Sequence, residues 1–120
     1  YEVAFDYLRK SVELDDALPY DEPWGWMQPA RHALGALLTE QGHLEEAEAV
    51  YRADLGLDNS LSRACQHPSN LWSLHGLHEC LVRRGEQVEV LHIKQQLDQA
   101  IARAEVTVTS SCYCRRDAAA

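Results

Sequence analysis

Hydrophobic side chains recur at intervals of three and four residues along most of the chain, the spacing at which they share one face of an α-helix. The pattern predicts five helices, at about residues 2–14, 26–41, 44–55, 71–84 and 87–104. Two prolines in "ALPYDEPWGW" interrupt it, and Gly42 and Gly85 follow two of the predicted helices, as glycine often does at a helix end. Alternating β-branched runs are nearly missing before residue 106. We therefore predict an all-α fold that ends in an extended tail.

Each predicted helix carries an apolar stripe that we expect to form the core. In the first helix the stripe comprises Val3, Ala4, Tyr7, Leu8 and Val12. In the second it comprises Met27, Ala30, Leu34, Leu37 and Leu38, and in the third Leu44, Ala47, Val50, Tyr51 and Leu55. The other face of the third helix is rich in glutamate, so we expect it to face solvent.

The helical pattern repeats along the chain. A shift of 43 residues superposes "LGALLTEQGHLEEAEAVY" on "LHECLVRRGEQVEVLHIK" and aligns the two glycines that end helices. A shift of 41 residues would pair Gly35 with Gly76, but it misaligns those glycines, and we keep the longer period. In that register His75 superposes on His32, and His78 takes the place of Gly35.

The repeated residues resemble the tetratricopeptide repeat, a unit of about 34 residues built as two antiparallel helices. Leu34-Gly35-x-x-Leu38 followed by Ala47-x-x-x-Tyr51 carries this resemblance. Residues 19–42, 63–81 and 110–115 are also similar to the C-terminal part of longer tetratricopeptide-repeat proteins of bacteria and fungi. The resemblance implies a right-handed superhelix of helix pairs over residues 1–105 and an extended cysteine-containing tail over 106–120. We interpret the chain as part of a longer protein and base nothing on residues 117–120.

Charge and composition narrow the class of partner. The 120 residues include 19 acidic and 11 basic side chains, a formal net charge of −8. This charge disfavours nucleic acid and anionic membrane surfaces as partners, and no apolar run approaches the about 20 residues that span a bilayer. Four unevenly placed cysteines do not make a disulfide framework. We expect a cytoplasmic, reducing environment and a protein or peptide partner.

A polar face on the fourth helix is the first candidate site. On a helical wheel Trp72, His75 and Glu79 lie opposite the apolar stripe, and His32 lies on the corresponding face of the second helix. Stacked repeats should bring these faces side by side, and the resemblance implies that a peptide or helix binds there, on the concave face. The predicted partner-binding residues are His32, Trp72, His75, Glu79, Trp24 and Trp26. An ordinary solvated helix face explains the same pattern, and that alternative stays open.

A metal site is the alternative from another functional class. Imidazole and thiolate groups suit zinc or another transition metal, and a structural zinc takes four such ligands. The candidate ligands are Cys65, His67, His75, His78, Cys112 and Cys114. Their spacing matches no established zinc motif, because a Cys-x-x-Cys pair is missing and His-x-x-His-Glu is not the His-Glu-x-x-His of zinc proteases.

Four of the histidines and cysteines also have structural interpretations. His78 stands where the repeat has a glycine, so we expect a neutral, hydrogen-bonded imidazole in the seam between helices, with a ligand or proton carrier as the alternative. Cys80 is predicted to be a small core residue. A one-residue gap would strain a disulfide between Cys112 and Cys114, so we expect them to pair elsewhere if they pair.

These features favour a non-enzymatic scaffold that uses no cofactor and binds a protein or peptide segment. The alternative is a metal-binding module or a thiol- or metal-dependent enzyme that uses the histidine and cysteine residues above. Nucleophilic catalysis has little support, because no oxyanion-binding loop accompanies the candidate nucleophiles. Exposed apolar ends of the superhelix predict a homodimer.

Overall fold

The computed structural model describes residues 1–21 and 27–115. These ranges contain five α-helices, which are α1 (Glu2–Asp16), α2 (Ala30–Glu40), α3 (Leu44–Leu55), α4 (Leu71–Arg84) and α5 (Glu89–Arg103). A short 3-10 helix, Arg63–Cys65, precedes α4, and no strand occurs in the two ranges. The prediction of an all-α fold with about five helices is confirmed. None of the helices in these ranges is long and apolar enough to cross a membrane.

The main difference from the predicted helix bounds lies at the start of α2. Pro29 has extended backbone angles, φ −60° and ψ 133°, and precedes the first helical residue, Ala30. Met27 therefore lies outside the helix and is 63% exposed, so its predicted place in the core is wrong. The helices α3 and α4 begin and end where the periodicity predicts.

Successive helices pack against one another along the chain. The helix α3 contacts both α2 and α4, which also contact each other, while α1 packs on α2 and α5 packs on α4. The core lies between these helices and also includes one residue of the tail. Its members are Phe5, Leu34, Leu38, Ala47, Tyr51, Leu55, Leu71, Leu74, Leu77, Cys80, Leu81, Ile93, Leu97, Ala100 and Val108. The predicted core position of Cys80 is confirmed.

The helix α1 buries a different face from the one we expected. Phe5 is 1% exposed, and Leu8 and Val12 pack against the core beside it. The predicted core residues Val3 and Tyr7 are 70% and 75% exposed. Because Phe5 is two residues from each of them, burying it turns both side chains away from α2.

Tyr51 of α3 enters the seam where α2 and α4 meet. A Cβ atom built on Gly35 would lie 2.5 Å from Tyr51 Cζ, and one built on Gly76 would overlap the same ring from the other helix. Only glycine leaves room for the ring at both places. The structural repeat therefore pairs Gly35 with Gly76, a shift of 41 residues, and the predicted period of 43 is wrong here. The period of 43 aligns Gly42 with Gly85, the glycines that follow the two helices. Because α4 is longer than α2, the distance along the chain between these helix ends is greater than that between the two glycines that contact Tyr51.

Candidate functional site

The polar faces of α2 and α4 meet at a stacked pair of rings. The ring of Trp72 lies nearly parallel to that of His32, with 6.2 Å between centroids and 21° between planes. We call the surface formed by His32, Trp72, His75 and Glu79 the α2–α4 face. His32 is only 5% exposed, whereas Trp72 is 37% exposed. Trp24 and Trp26, predicted to overhang this surface, lie outside the described residues.

The C-terminal segment of the chain lies on the α2–α4 face. We call residues 106–115 the tail, and their backbone forms neither helix nor strand. Most of the central side chains are buried, with Val108 8%, Ser110 1%, Ser111 2% and Cys112 6% exposed. The tail is thus a packed part of the domain, and it occupies the place where we predicted a partner.

A buried hydroxyl pair joins the tail to the helices. Tyr51 Oη, having passed between Gly35 and Gly76, lies 2.5 Å from Ser111 Oγ. Ser111 Oγ in turn donates a hydrogen bond of 3.2 Å to the carbonyl oxygen of His32. Burial raises the pKa of Tyr51, so its hydroxyl remains protonated at neutral pH. Every buried hydroxyl needs a partner, and Ser111 provides one for Tyr51.

An ion pair joins the tail to α4. Arg115 Nη1 donates to Glu79 Oε2 over 2.6 Å, and their side chains are 3% and 14% exposed. Glu79 Oε1 also lies 3.6 Å from Arg83 Nη1 on the same helix. A guanidinium buried to this degree needs an anionic partner, because an uncompensated charge is costly away from water. Glu79 is therefore a determinant of where the tail lies.

His75 is beside this ion pair and is half-buried. Its Nδ1 atom is buried and has no hydrogen-bond partner among the described residues. Burial lowers the pKa of His75, the charge of Glu79 opposes that effect, and the charges of His78 and Arg115 lower the pKa further. The imidazole is neutral at pH 7 as a result, with a polar atom whose bonding capacity is unused.

His78 does not enter the seam as predicted, because Gly76 occupies that position. It is partly buried, and its pKa is lowered by burial and by the charge of Lys94, while Asp98 and Glu79 oppose the shift. Lys94 and Asp98 belong to α5, so His78 faces that helix and not the seam with α3.

A buried carboxylate that the sequence analysis missed organises the other end of α4. Asp54 is 1% exposed and accepts hydrogen bonds from four side chains on three parts of the fold. Its donors are His32 Nε2 at 2.8 Å, His67 Nδ1 at 2.6 Å, Asn70 Nδ2 at 2.9 Å and Ser73 Oγ at 2.5 Å. Asp54 thereby ties the end of α3 to α2, to the loop before α4 and to the first turn of α4.

The electrostatics of Asp54 favour its charged form. Burial alone would raise the pKa of Asp54, but hydrogen bonds from His32 and His67, the charge of His32 and the bond from Ser73 together hold it well below its usual range. His32 and Ser73 are themselves buried, at 5% and 0% exposed. These buried contacts hold the helices together.

Helical spacing contains a signal for Asp54. It follows Tyr51 by three residues and Ala47 by seven, which places it on the buried stripe of α3. A carboxylate at a core position needs several donors. Asn70 is recognisable as well, since its side chain caps α4 by accepting from the Ser73 backbone N–H at 2.9 Å.

The six candidate metal ligands do not come together at one place in the fold. His67 bonds to Asp54, while the Cys65 thiol lies 3.4 Å from the hydroxyl of Ser62. Cys112 and Cys114 form a disulfide with each other, so the expectation that they would pair elsewhere is wrong. Within residues 1–21 and 27–115, no group of three or more His, Cys, Asp and Glu side chains is placed to hold a metal ion.

The disulfide closes a tight turn in the tail. The Cys114 N–H donates to Cys112 Sγ at 3.1 Å, and the Arg115 N–H donates to the carbonyl oxygen of Cys112 at 3.3 Å. Gln28 Nε2, just before α2, approaches Cys112 Sγ at 3.8 Å. The turn reverses the backbone immediately before Arg115, whose side chain pairs with Glu79.

Comparison with known proteins does not assign the chain to a family. No protein-family model matches the sequence, and neither the curated proteins nor the solved structures contain a match. The resemblance to tetratricopeptide repeats therefore stays a prediction.

Proposed function

We propose that this chain is a protein-interaction scaffold that binds a peptide or partner segment on the α2–α4 face. One observation carries the proposal: Ser111 and Arg115 of the chain's own tail contact that face, and the tail forms neither a helix nor a strand. A surface that accommodates one irregular segment in this way has the shape and the polar groups to accommodate another.

The chemistry of the face supports a peptide as the ligand. Tyr51 Oη and the carbonyl oxygen of His32 lie together and engage a small polar side chain, Ser111. About one helical turn from Trp72, His75 adds a nitrogen that has no hydrogen-bond partner within residues 1–21 and 27–115. A few convergent polar groups beside an aromatic ring are typical of a binding surface. The resemblance to tetratricopeptide repeats, which bind peptides on the concave side of stacked helix pairs, supports the same function.

The tail must leave before another segment can bind, so the test needs a chain in which it is displaced. Ser111→Trp serves this purpose, because the serine is 2% exposed and the added ring has no space beneath the tail. Thr109→Trp is the matched control, since residue 109 is exposed and tolerates a large side chain. Both variants keep every helix residue, and circular dichroism verifies their helix content.

The measurement is the binding of both variants to an array of synthetic decapeptides, followed by fluorescence anisotropy of those that bind. We expect the Ser111→Trp chain to bind a set of peptides that the Thr109→Trp chain binds at least about tenfold more weakly, the factor that a mostly closed site imposes. Adding Tyr51→Phe, which retains the ring and removes the hydroxyl, should weaken that binding. If the two tryptophan variants bind the peptides equally well, or if Tyr51→Phe leaves the affinity unchanged, the α2–α4 face is not the peptide-binding site.

A further inference from the structure

We propose that the α2–α4 face selects peptides carrying an arginine four residues after a small polar residue, and that the tail is the built-in competitor for such ligands. This inference rests on the proposed function and specifies its ligand. It follows from what Ser111 and Arg115 do on the face.

The arginine preference comes from Glu79. The Arg115 side chain is 3% exposed and its guanidinium donates to the Glu79 carboxylate at 2.6 Å, so the site around Glu79 encloses an arginine side chain. When the tail leaves, the ion-pair contact that Glu79 keeps among the described helix residues is the longer one of 3.6 Å with Arg83. The same Arg83 nitrogen donates to the carbonyl oxygen of Thr39 at 2.7 Å, so its shorter contact is with the backbone and not with Glu79. A planar guanidinium with several donors replaces Arg115 better than the ammonium of lysine does.

The small polar residue is required by Tyr51. The Tyr51 ring lies between α2 and α4, where Gly35 and Gly76 leave room for it, and its hydroxyl lies 2.5 Å from Ser111 Oγ. The neighbouring Ser110 is 1% exposed, so little space remains for larger side chains at this point. An alanine in the ligand would remove the hydrogen bond that Ser111 makes with the Tyr51 hydroxyl, and a large residue would not fit. The spacing of four residues is that between Ser111 and Arg115 in the tail.

The tail competes because it is attached close to the face. The helix α5 ends at Arg103, and Val108 is already part of the core, so only a short connection separates them. A segment tethered in this way has a high effective concentration at its site. The net charge of −8 adds a general attraction for basic peptides but does not distinguish one arginine position from another.

The probe is a fluorescein-labelled synthetic peptide with the sequence of residues 106–115 and its disulfide formed. A second peptide has glutamine in place of the arginine. On the Ser111→Trp chain we expect the arginine peptide to bind at least about tenfold more tightly than the glutamine peptide, because a buried charge pair is lost in the latter. Adding Glu79→Gln to that chain should remove most of the difference between the two peptides.

Competition by the tail is tested on chains with an unchanged Ser111. Arg115→Gln should raise the affinity for the arginine peptide by about tenfold over that of the parent chain, since the weakened tail is displaced more easily. Arg63→Gln is the matched control, because Arg63 is exposed in the 3-10 helix, and its affinity should equal that of the parent. Equal affinities of the Arg115→Gln and parent chains would overturn the competitor role.

The outcomes separate this inference from the proposed function. Equal binding of the arginine and glutamine peptides to the Ser111→Trp chain would overturn arginine selection and leave the face as a peptide site. If neither tail peptide binds to a chain that does bind array peptides, arginine selection is also overturned. If the Ser111→Trp chain binds no peptide of either kind, the proposed function itself is wrong.

Discussion

Replacing Asp54 by asparagine tests whether the buried carboxylate holds the helix framework. Asparagine has nearly the same shape, but it carries one oxygen in place of two and no charge. In the better orientation its oxygen keeps the three donors on Oδ2, from His32, Asn70 and Ser73. Its amide group then meets His67 Nδ1, which bonds to Oδ1 of the carboxylate at 2.6 Å.

The expected loss follows from these contacts. Hydrogen bonds to charged groups contribute about 1.5–3 kcal/mol each, and neutral ones about 1 kcal/mol. One charged bond is lost and three are weakened, while the neutral amide costs less to bury than the carboxylate. We expect the free energy of unfolding to fall by about 2–3 kcal/mol and the melting temperature by roughly 8–12 °C.

The assay is urea unfolding followed by far-UV circular dichroism at pH 7, with Asp98→Asn as the matched control. Asp98 is exposed on α5 and pairs only with Lys94 in the described ranges, so its replacement should cost less than about 0.5 kcal/mol. If Asp54→Asn also changed stability by less than about 0.5 kcal/mol, our account of the cluster would be refuted.

The difference in the free energy of unfolding between the parent and Asp54→Asn should depend on pH. The pKa of Asp54 is lowered in the folded protein, so its carboxylate stabilises the fold fully above the ordinary carboxyl pKa of 3.8. That contribution is lost as the pH falls below 3.8 towards the lower folded-state value. The stability difference between the parent and Asp54→Asn should shrink as the pH falls below about 4. A difference that grows as the pH falls from about 4 to about 2 would contradict the sign of the shift.

Three further predictions concern the seam, the tail and α1. Gly76→Ala should lower the free energy of unfolding by about 2 kcal/mol, since its methyl group overlaps the Tyr51 ring; an unchanged urea midpoint would show that the ring has room to move. Cys112→Ser should raise the rate of amide hydrogen exchange several-fold at residues 106–115 only, because it opens the turn that directs Arg115 towards Glu79. Reduction of the parent protein by a dithiol should have the same effect. Faster exchange in the helices as well would contradict a local role of the disulfide. Tyr7→Glu should abolish a dimer formed through the exposed side of α1, as measured by sedimentation equilibrium, whereas Gln99→Glu should not; a parent that is monomeric at about millimolar concentration would remove the dimer prediction.

The sequence pattern by itself determined the helices and most of the core. Periodicity at three and four residues placed α3 and α4 at their observed bounds, because their apolar stripes are continuous and glycines follow close behind. Cys80 was predictable for the same reason, since it extends the stripe of α4. The helical pattern did not predict the buried face of α1, because apolar residues lie on two faces of this helix and only packing against α2 decides which face is buried.

Only the tertiary structure decided what lies on the polar face of α2 and α4. The wheel placed Trp72, His75 and Glu79 together, because residues three and four apart share a helix face whatever surrounds them. Arg115 and Glu79 are 36 residues apart along the chain, and local periodicity carries no information about a contact over that separation. The same holds for Asp54, whose donors come from α2, a loop and α4. Local spacing shows which residues share a face, and long-range packing shows what covers it.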